Sequence, residues 1–197
     1  MNSRYETLIS SYIDNQVGIC DHFLSGELAL ALRQNLIELE KAEQMKPAGI
    51  GNQLIKDPGQ TKRGDKIFWL ENDTTNSHER AFLDQVDAFI IYLNDSCYTG
   101  ISSYEFHYAL YETGSAYHRH KDQFQNNSNR KFSLINYLNT DWIPEEGGEL
   151  FIYQEAKTEK ILPTIRKAVF FNSEREEHEV CKTTRPRMSI TGWLKSG

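Results

Sequence analysis

Over the first hundred residues apolar side chains recur at three- and four-residue intervals, and beyond that they come in short runs rich in aromatic and β-branched residues. The first pattern predicts helices. Residues 4–15 carry one. A second follows Ser25 in GELALALRQNLIELEKAEQ, with Leu28, Leu30, Leu32, Leu36 and Leu39 as its apolar face and Ser25 and Glu27 as its start signal. A third is expected from His78 to Leu93, with Phe82, Val86, Phe89 and Ile90 inward. Between the last two, KPAGIGNQLIKDPGQTKRGDKIFWL is broken by glycine and proline and ends in a strand-like run at Lys66–Leu70. Residues 46–62 therefore read as a long hairpin connection, and loops of this length are usually functional.

From Tyr104 the runs YEFHYALYE, RKFSLINYLN, GELFIYQ, KAVFFNS and MSITGWL are separated by turn residues such as DWIPEEGG. Short strands at this spacing predict a sandwich or barrel. The expected class is α+β with a mainly β core, a jelly roll carrying N-terminal helices. Helical support would span about 1–100 and the β core about 101–197. No linker divides them, so residues 1–197 are expected to form a single domain.

Composition narrows the function. The net charge of -6, from 22 basic and 28 acidic residues, argues against a broad nucleic-acid-binding face. No apolar run approaches the ~20 residues of a membrane span, and MNSRYETLISSYIDNQ has acids but no apolar centre, so no signal peptide is expected. Cys20, Cys97 and Cys181 are scattered and odd in number, which fits a reducing cytoplasm better than a disulfide framework.

The densest group of possible metal ligands is Tyr117-His118-Arg119-His120-Lys121-Asp122. On an extended strand His120 and Asp122 share a face. A third ligand must come from elsewhere, and His178 lies between two strand-like runs. Two histidines and a carboxylate leave metal positions open, which suits iron(II) with a co-substrate and dioxygen. A structural zinc site would be closed and usually built on cysteine. Nine residues past His178, Arg187 begins a strand on which Arg187, Ser189 and Thr191 share a face. An inward guanidinium needs an anionic partner, and a dicarboxylate fits its fork; a protein carboxylate or a solvent-facing arginine is the other reading. The remaining histidines have simpler readings: His107 as packing, His22 and His78 as helix-start or surface residues. Gly147 and Gly148 suit a tight turn or bulge, and Arg63-Gly64-Asp65 a strand entry.

Five stretches, RGDKIFWL (63–70), YHRHKD (117–122), NYLNTDW (136–142), GGELFIY (147–153) and HEV…RPRMSITGW (178–193), together resemble the iron(II)/2-oxoglutarate-dependent dioxygenases. Within them the chain is most similar to the prolyl 4-hydroxylase branch, which includes the hypoxia-inducible-factor prolyl hydroxylases and their bacterial relatives. The resemblance covers most of the chain from Arg63 onward and implies a double-stranded β-helix. It assigns His120, Asp122 and His178 to the metal, and Arg187 and Tyr137 to the distal carboxylate of 2-oxoglutarate. Thr191 and Tyr111 would line the same pocket, and Asp65 and Arg130 would pair as structural support. The implied cofactor set is iron(II), 2-oxoglutarate and dioxygen, with ascorbate as an optional addition; succinate and carbon dioxide would be the co-products. The implied substrate is a proline in a protein partner such as elongation factor Tu, covered by the 46–62 segment. Two alternatives stay open. One is a cupin-type metalloenzyme using His118, His120 and His178, or a dioxygenase acting on a free small molecule. The other is a non-catalytic sensor or binding module.

Overall fold

A computed structural model describes residues 3–49, 63–123 and 129–197. Of the expected 46–62 connection, residues 50–62 lie outside the described residues. Its stem is described: β2 (Lys46–Pro47) pairs antiparallel with β3 (Asp65–Trp69).

The three expected helices form. α1 spans Ser3–Asn15 and α2 spans Gly26–Lys41, the latter capped by Ser25, whose hydroxyl accepts from the Leu28 amide. Leu30 does not join the apolar face of α2 and stays 53% exposed, while Ala29, Leu32 and Leu36 are buried. α3 runs Ser77–Cys97, four residues beyond its expected end at Leu93. Asn76 caps its start, accepting from the His78 and Glu79 amides. Its stop comes from Tyr98, in the left-handed region at φ 54°, and from Asn94, whose side chain accepts from the Ile101 amide and donates to its carbonyl.

A seven-stranded antiparallel sheet has the order β1-β9-β6-β11-β4-β3-β2. Its remaining members are β1 (Val17–Cys20), β4 (Ile101–Tyr111), β6 (Arg130–Tyr137), β9 (Ala168–Asn172) and β11 (Arg187–Ser196). A four-stranded sheet has the order β5-β10-β7-β8, with β5 (Tyr117–His120), β7 (Leu150–Tyr153), β8 (Thr158–Ile161) and β10 (Glu177–Val180). Four strands were not expected: β2 in the 46–62 connection, β10 around His178, and β1 and β8. β1 sits in the nominally helical region, and its four residues are too few to display a period. β8 lies in a polar stretch and forms the edge of the smaller sheet.

Alternation along the strands decides what the large sheet touches. Phe106, Tyr108, Leu110, Leu134, Phe170, Ile190 and Leu194 pack with the helices in one core. Ala109, Tyr111, Ile135, Tyr137, Val169 and Phe171 face the smaller sheet in a second core with Leu150, Ile152 and Val180. The result is a jelly roll with helices behind its large sheet. The rear core is aromatic: Phe89 packs within 5.2–5.7 Å of Tyr5, Phe23 and Phe170. Gly192 belongs here because any side chain would collide with the Phe106 ring and the Glu105 carbonyl.

Phe89 is fully buried and joins α3 to α1 and β9, so Phe89→Ala should destabilise the fold by about 3–5 kcal/mol. Urea unfolding checks this; a loss under about 1 kcal/mol would show that the helices are not integral to the core.

Candidate metal and co-substrate site

The site lies between the two sheets. His120 ends β5 and His178 sits within β10, and the antiparallel register places them directly opposite each other, with ring centroids 4.3 Å apart. Two details differ from expectation. His178 belongs to a strand and not to a connection, and Asp122 lies two residues past the end of β5, so the turn and not a shared strand face delivers it. Asp122 Oδ1 is 3.6 Å from His120 Nε2, and Oδ2 is 3.6 Å from His178 Nε2. One ligand atom from each of the three residues falls within 4.8 Å of the others.

The far side of each ring is also fixed. His120 Nδ1 is 2.7 Å from the His118 carbonyl, and His178 Nδ1 is 3.2 Å from that of Glu176. A carbonyl only accepts, so each Nδ1 carries the proton and donates. Each Nε2 is then free to turn its lone pair toward the carboxylate. Two lone pairs and a buried carboxylate aimed at one point repel unless positive charge lies between them. Burial works against the Asp122 charge, yet the two imidazoles outweigh it and hold its pKa well below the usual carboxylate range. Burial also disfavours a charged His178, and Asp122 overrides this to raise its pKa. The donor set and this field both suit a divalent cation.

His118 is exposed and outside the cluster; only its carbonyl takes part. A three-histidine site using His118 is therefore not formed. Tyr117 stacks on His120 at 3.5 Å, with the Arg63 guanidinium 4.9 Å from its ring on the side of the hairpin stem.

Deeper in, Arg187 is 2% exposed. Its Nε donates to the Gly148 carbonyl at 2.8 Å, while Nη2 has no partner and no carboxylate among the described residues pairs with it. Tyr111 and Tyr137 flank it, their ring centroids 5.1 and 5.0 Å from Cζ. Tyr137 is fully buried and its hydroxyl lacks a hydrogen bond of good geometry. Burial raises the Tyr137 pKa, with Arg187 offsetting part of the rise, so the phenol keeps its proton as a donor. Ser189 and Thr191 follow on the same face, their hydroxyls 3.2 Å apart. One cavity joins His120, Asp122 and His178 to Tyr111, Arg187 and Thr191. Gly148, at φ 67°, lets the arginine pass: a Cβ there would press on Arg187 Cδ and Trp142 at 3.1 Å. Gly147 and Gly148 thus serve a tight turn, as read from sequence.

The expected Asp65–Arg130 pair is not made. Arg63 holds Asp65 with two bonds, Nε–Oδ1 at 2.6 Å and Nη2–Oδ2 at 3.0 Å. Arg130 forks onto Glu105 at 2.7 and 2.9 Å and lies over the Trp193 ring. Both partners, two residues away on the chain for Asp65 and on β4 for Arg130, present a carboxylate or guanidinium at shorter reach. His107 is also more than packing: it lines the cavity between Trp69 and Trp193, with ring centroids 4.9 and 5.3 Å away. Its place two residues before Ala109 and four before Tyr111, on the inward face of β4, was the available signal.

A model of the 2OG-Fe(II) oxygenase superfamily matches residues 106–195, the segment that carries the triad and Arg187. The structure also superposes end to end on a prolyl-4-hydroxylase from Pseudomonas putida, with a TM-score of 0.88, 27% identity and coverage of 98% of this chain and 99% of that one. The chain resembles the 2OG-Fe(II) oxygenases of the prolyl hydroxylase type. A prolyl hydroxylase from Trichoplax adhaerens, solved with a hypoxia inducible factor peptide fragment, matches at TM-score 0.87 and 25% identity over 98% of this chain and 89% of that one. The viral collagen prolyl hydroxylase of Paramecium Bursaria Chlorella virus-1, a 2-oxoglutarate complex, shares the fold at TM-score 0.64 and 17% identity over 93% and 97% of the two chains. Iron(II) and 2-oxoglutarate are the cofactor and co-substrate that this family match and the His-Asp-His cluster support.

Burial, and next the Arg63 charge, push His107 down to about 3. Its unfolded pKa is about 6.5, so the unfolded chain takes up the proton first. The neutral ring's contribution to stability is whole above pH ~6.5 and is lost as pH falls toward 3, with a slope of at most about 1.4 kcal/mol per unit. His107→Phe should remove that part of the acid sensitivity. Urea midpoints between pH 7 and 4 check this; parallel curves for the two proteins would refute it.

Proposed function

We propose that His120, Asp122 and His178 hold the iron(II), that Arg187 and Tyr137 bind the distal carboxylate of 2-oxoglutarate, and that the substrate is a prolyl residue of a protein. The observation that carries the co-substrate assignment is Arg187, a guanidinium 2% exposed with no carboxylate partner. Leaving a buried charge unpaired costs several kcal/mol. A bound dicarboxylate relieves that cost with charge-assisted bonds, and the Tyr137 hydroxyl adds a donor beside it. Thr191 and Tyr111 complete the walls around the bound chain of carbons.

Bound together in this site, iron(II) and 2-oxoglutarate supply the oxygen activation that puts a hydroxyl on a carbon, with succinate and carbon dioxide as co-products. The protein does the rest. The two Nδ1–H bonds hold the imidazoles in the ligating tautomer. Tyr117, stacked on His120, shields that ring from solvent. His107 and Trp193 line the cavity, with Trp69 packed on both, and would offer aromatic faces to the C–H bonds of a saturated ring.

Support for a protein substrate comes from the kinship with the Pseudomonas putida enzyme along the whole chain and from the Trichoplax adhaerens enzyme, which was solved with a peptide. The length of the 46–62 connection suits an extended peptide better than a small metabolite. Elongation factor Tu is a first candidate partner, and the 197 residues are proposed to act as one catalytic domain.

Arg187→Ala should weaken 2-oxoglutarate binding about 100-fold or more, since two charge-assisted bonds at a buried carboxylate are lost, and Mn(II) binding should be little changed. Isothermal titration measures both; unaltered 2-oxoglutarate affinity would overturn the role. For the substrate, cell extract is incubated with enzyme, iron(II) and 2-oxoglutarate, and its peptides are mapped by mass spectrometry. Proline peptides should gain one oxygen with the wild-type protein and none with Asp122→Ala. Brisk succinate formation on a free amino acid, with no modified peptide, would overturn the protein substrate and leave the oxygenase in place.

A further inference from the structure

Behind the Asp122 carboxylate lie two serines that neither the metal nor the co-substrate explains. Ser133 is in the middle of β6, on the inward face shared with Ile135 and Tyr137, and is fully buried. Its Oγ is 2.7 Å from Asp122 Oδ2. The same Oγ is 2.8 Å from the Oγ of Ser173, which follows the last residue of β9 and is also fully buried.

Bond directions follow from proton counting. An ionised carboxylate only accepts, so Ser133 donates its single proton to Asp122. Toward Ser173 it can then only accept, and Ser173 donates. The order is Ser173 to Ser133 to Asp122. The start of this chain is itself clamped. The Ser173 amide donates to the Lys131 carbonyl at 3.0 Å, and its carbonyl accepts from the Gln123 amide, the residue after Asp122, at 3.1 Å. Two buried hydroxyls would satisfy one another with any nearby carbonyl. Here they end on the one carboxylate of the triad, on Oδ2, which lies 3.6 Å from His178 Nε2 while Oδ1 lies 3.6 Å from His120 Nε2.

We propose that Ser173 and Ser133 are positioning residues, a directional pair that fixes the rotation of the Asp122 carboxylate by holding one lone pair of Oδ2, which leaves Oδ1 the less encumbered metal-binding oxygen. This rests on Asp122 being a ligand and adds how it is held. The consequence is chemical. A carboxylate free to turn can grip a cation through both oxygens and fill a position that 2-oxoglutarate or dioxygen needs. With Oδ2 occupied by a hydroxyl, that second contact is disfavoured.

The test uses Mn(II) and the full-length protein, counting free Mn(II) by its electron paramagnetic resonance signal. Ser133→Ala should weaken Mn(II) binding roughly tenfold or more, in the range typical for removing a partner of a metal ligand. Ser173→Ala should weaken it less, since Ser133 keeps its proton but loses the bond that aims it. Both Mn(II)-loaded variants should also bind 2-oxoglutarate less tightly, because the released oxygen competes for its place. Ser133→Thr retains the hydroxyl and should recover most of the loss. Thermal unfolding of the metal-free proteins separates this from simple destabilisation, which would lower the melting temperature and spare Mn(II) affinity in the folded protein. If Ser133→Ala fails to fold, Ser173→Ala decides. Affinities within twofold of wild type in every folded variant would overturn the proposal. Asp122→Ala runs alongside: wild-type Mn(II) affinity in that variant would overturn the ligand assignment itself, whereas its loss with normal affinity in the serine variants would overturn only the positioning role.

Discussion

A strand has two faces, and the large sheet of this protein must satisfy a different neighbour on each. Its even-numbered positions on β4, from Phe106 to Leu110, bury into the helices, and its odd-numbered ones, from His107 to Tyr111, look into the cavity. A slip of one residue would send Tyr111 into the helical core and Leu110 into the site. The helices thus do more than cover a sheet. By burying one set of side chains without water, they fix the register that presents the other set. The same logic places Arg187 and Thr191 inward on β11 while Ile190 and Leu194 anchor behind.

Within that frame the site holds two unbalanced charges of opposite kind. At one end, lone pairs and a carboxylate converge on a point that calls for a cation. At the other, a buried guanidinium with an unbonded nitrogen calls for an anion. Each arrangement costs stability on its own. Joined in one cavity, they would suit the proposed pairing of a metal with a dicarboxylate, whose binding would supply what folding leaves unpaired. Residues around them limit how much can shift: Tyr117 against His120, Gly148 against Arg187, and the carbonyls of His118 and Glu176 on the two rings.

Much of this was legible from the chain. The three helices, strands β3, β4, β6, β7, β9 and β11, and the cluster of His120, Asp122 and His178 all follow from periodicity, ligand chemistry and family resemblance. What was not legible depends on distances that sequence spacing does not carry. Asp122 reaches the site from a turn, and its alignment with His120 on one strand face was the wrong geometry for the right pair. The expected Asp65–Arg130 bridge failed because Arg63 and Glu105 offer nearer partners, a competition that only the folded register reveals. Short β1 and polar β8 lacked the residues to show alternation. Ser133 and Ser173 are forty positions apart in the sequence and meet only across the β6–β9 pairing.

In the proposed function the His-Asp-His cluster and Arg187 form one co-substrate site. The most direct test is an anaerobic titration of the iron(II)-loaded protein with 2-oxoglutarate, followed by the visible charge-transfer absorption that appears when a 2-oxo acid chelates iron(II). A saturable band reaching its limit at one 2-oxoglutarate per chain is expected with wild-type protein and should be lost with His178→Ala. Iron(II) binding without such a band at saturating 2-oxoglutarate would contradict it.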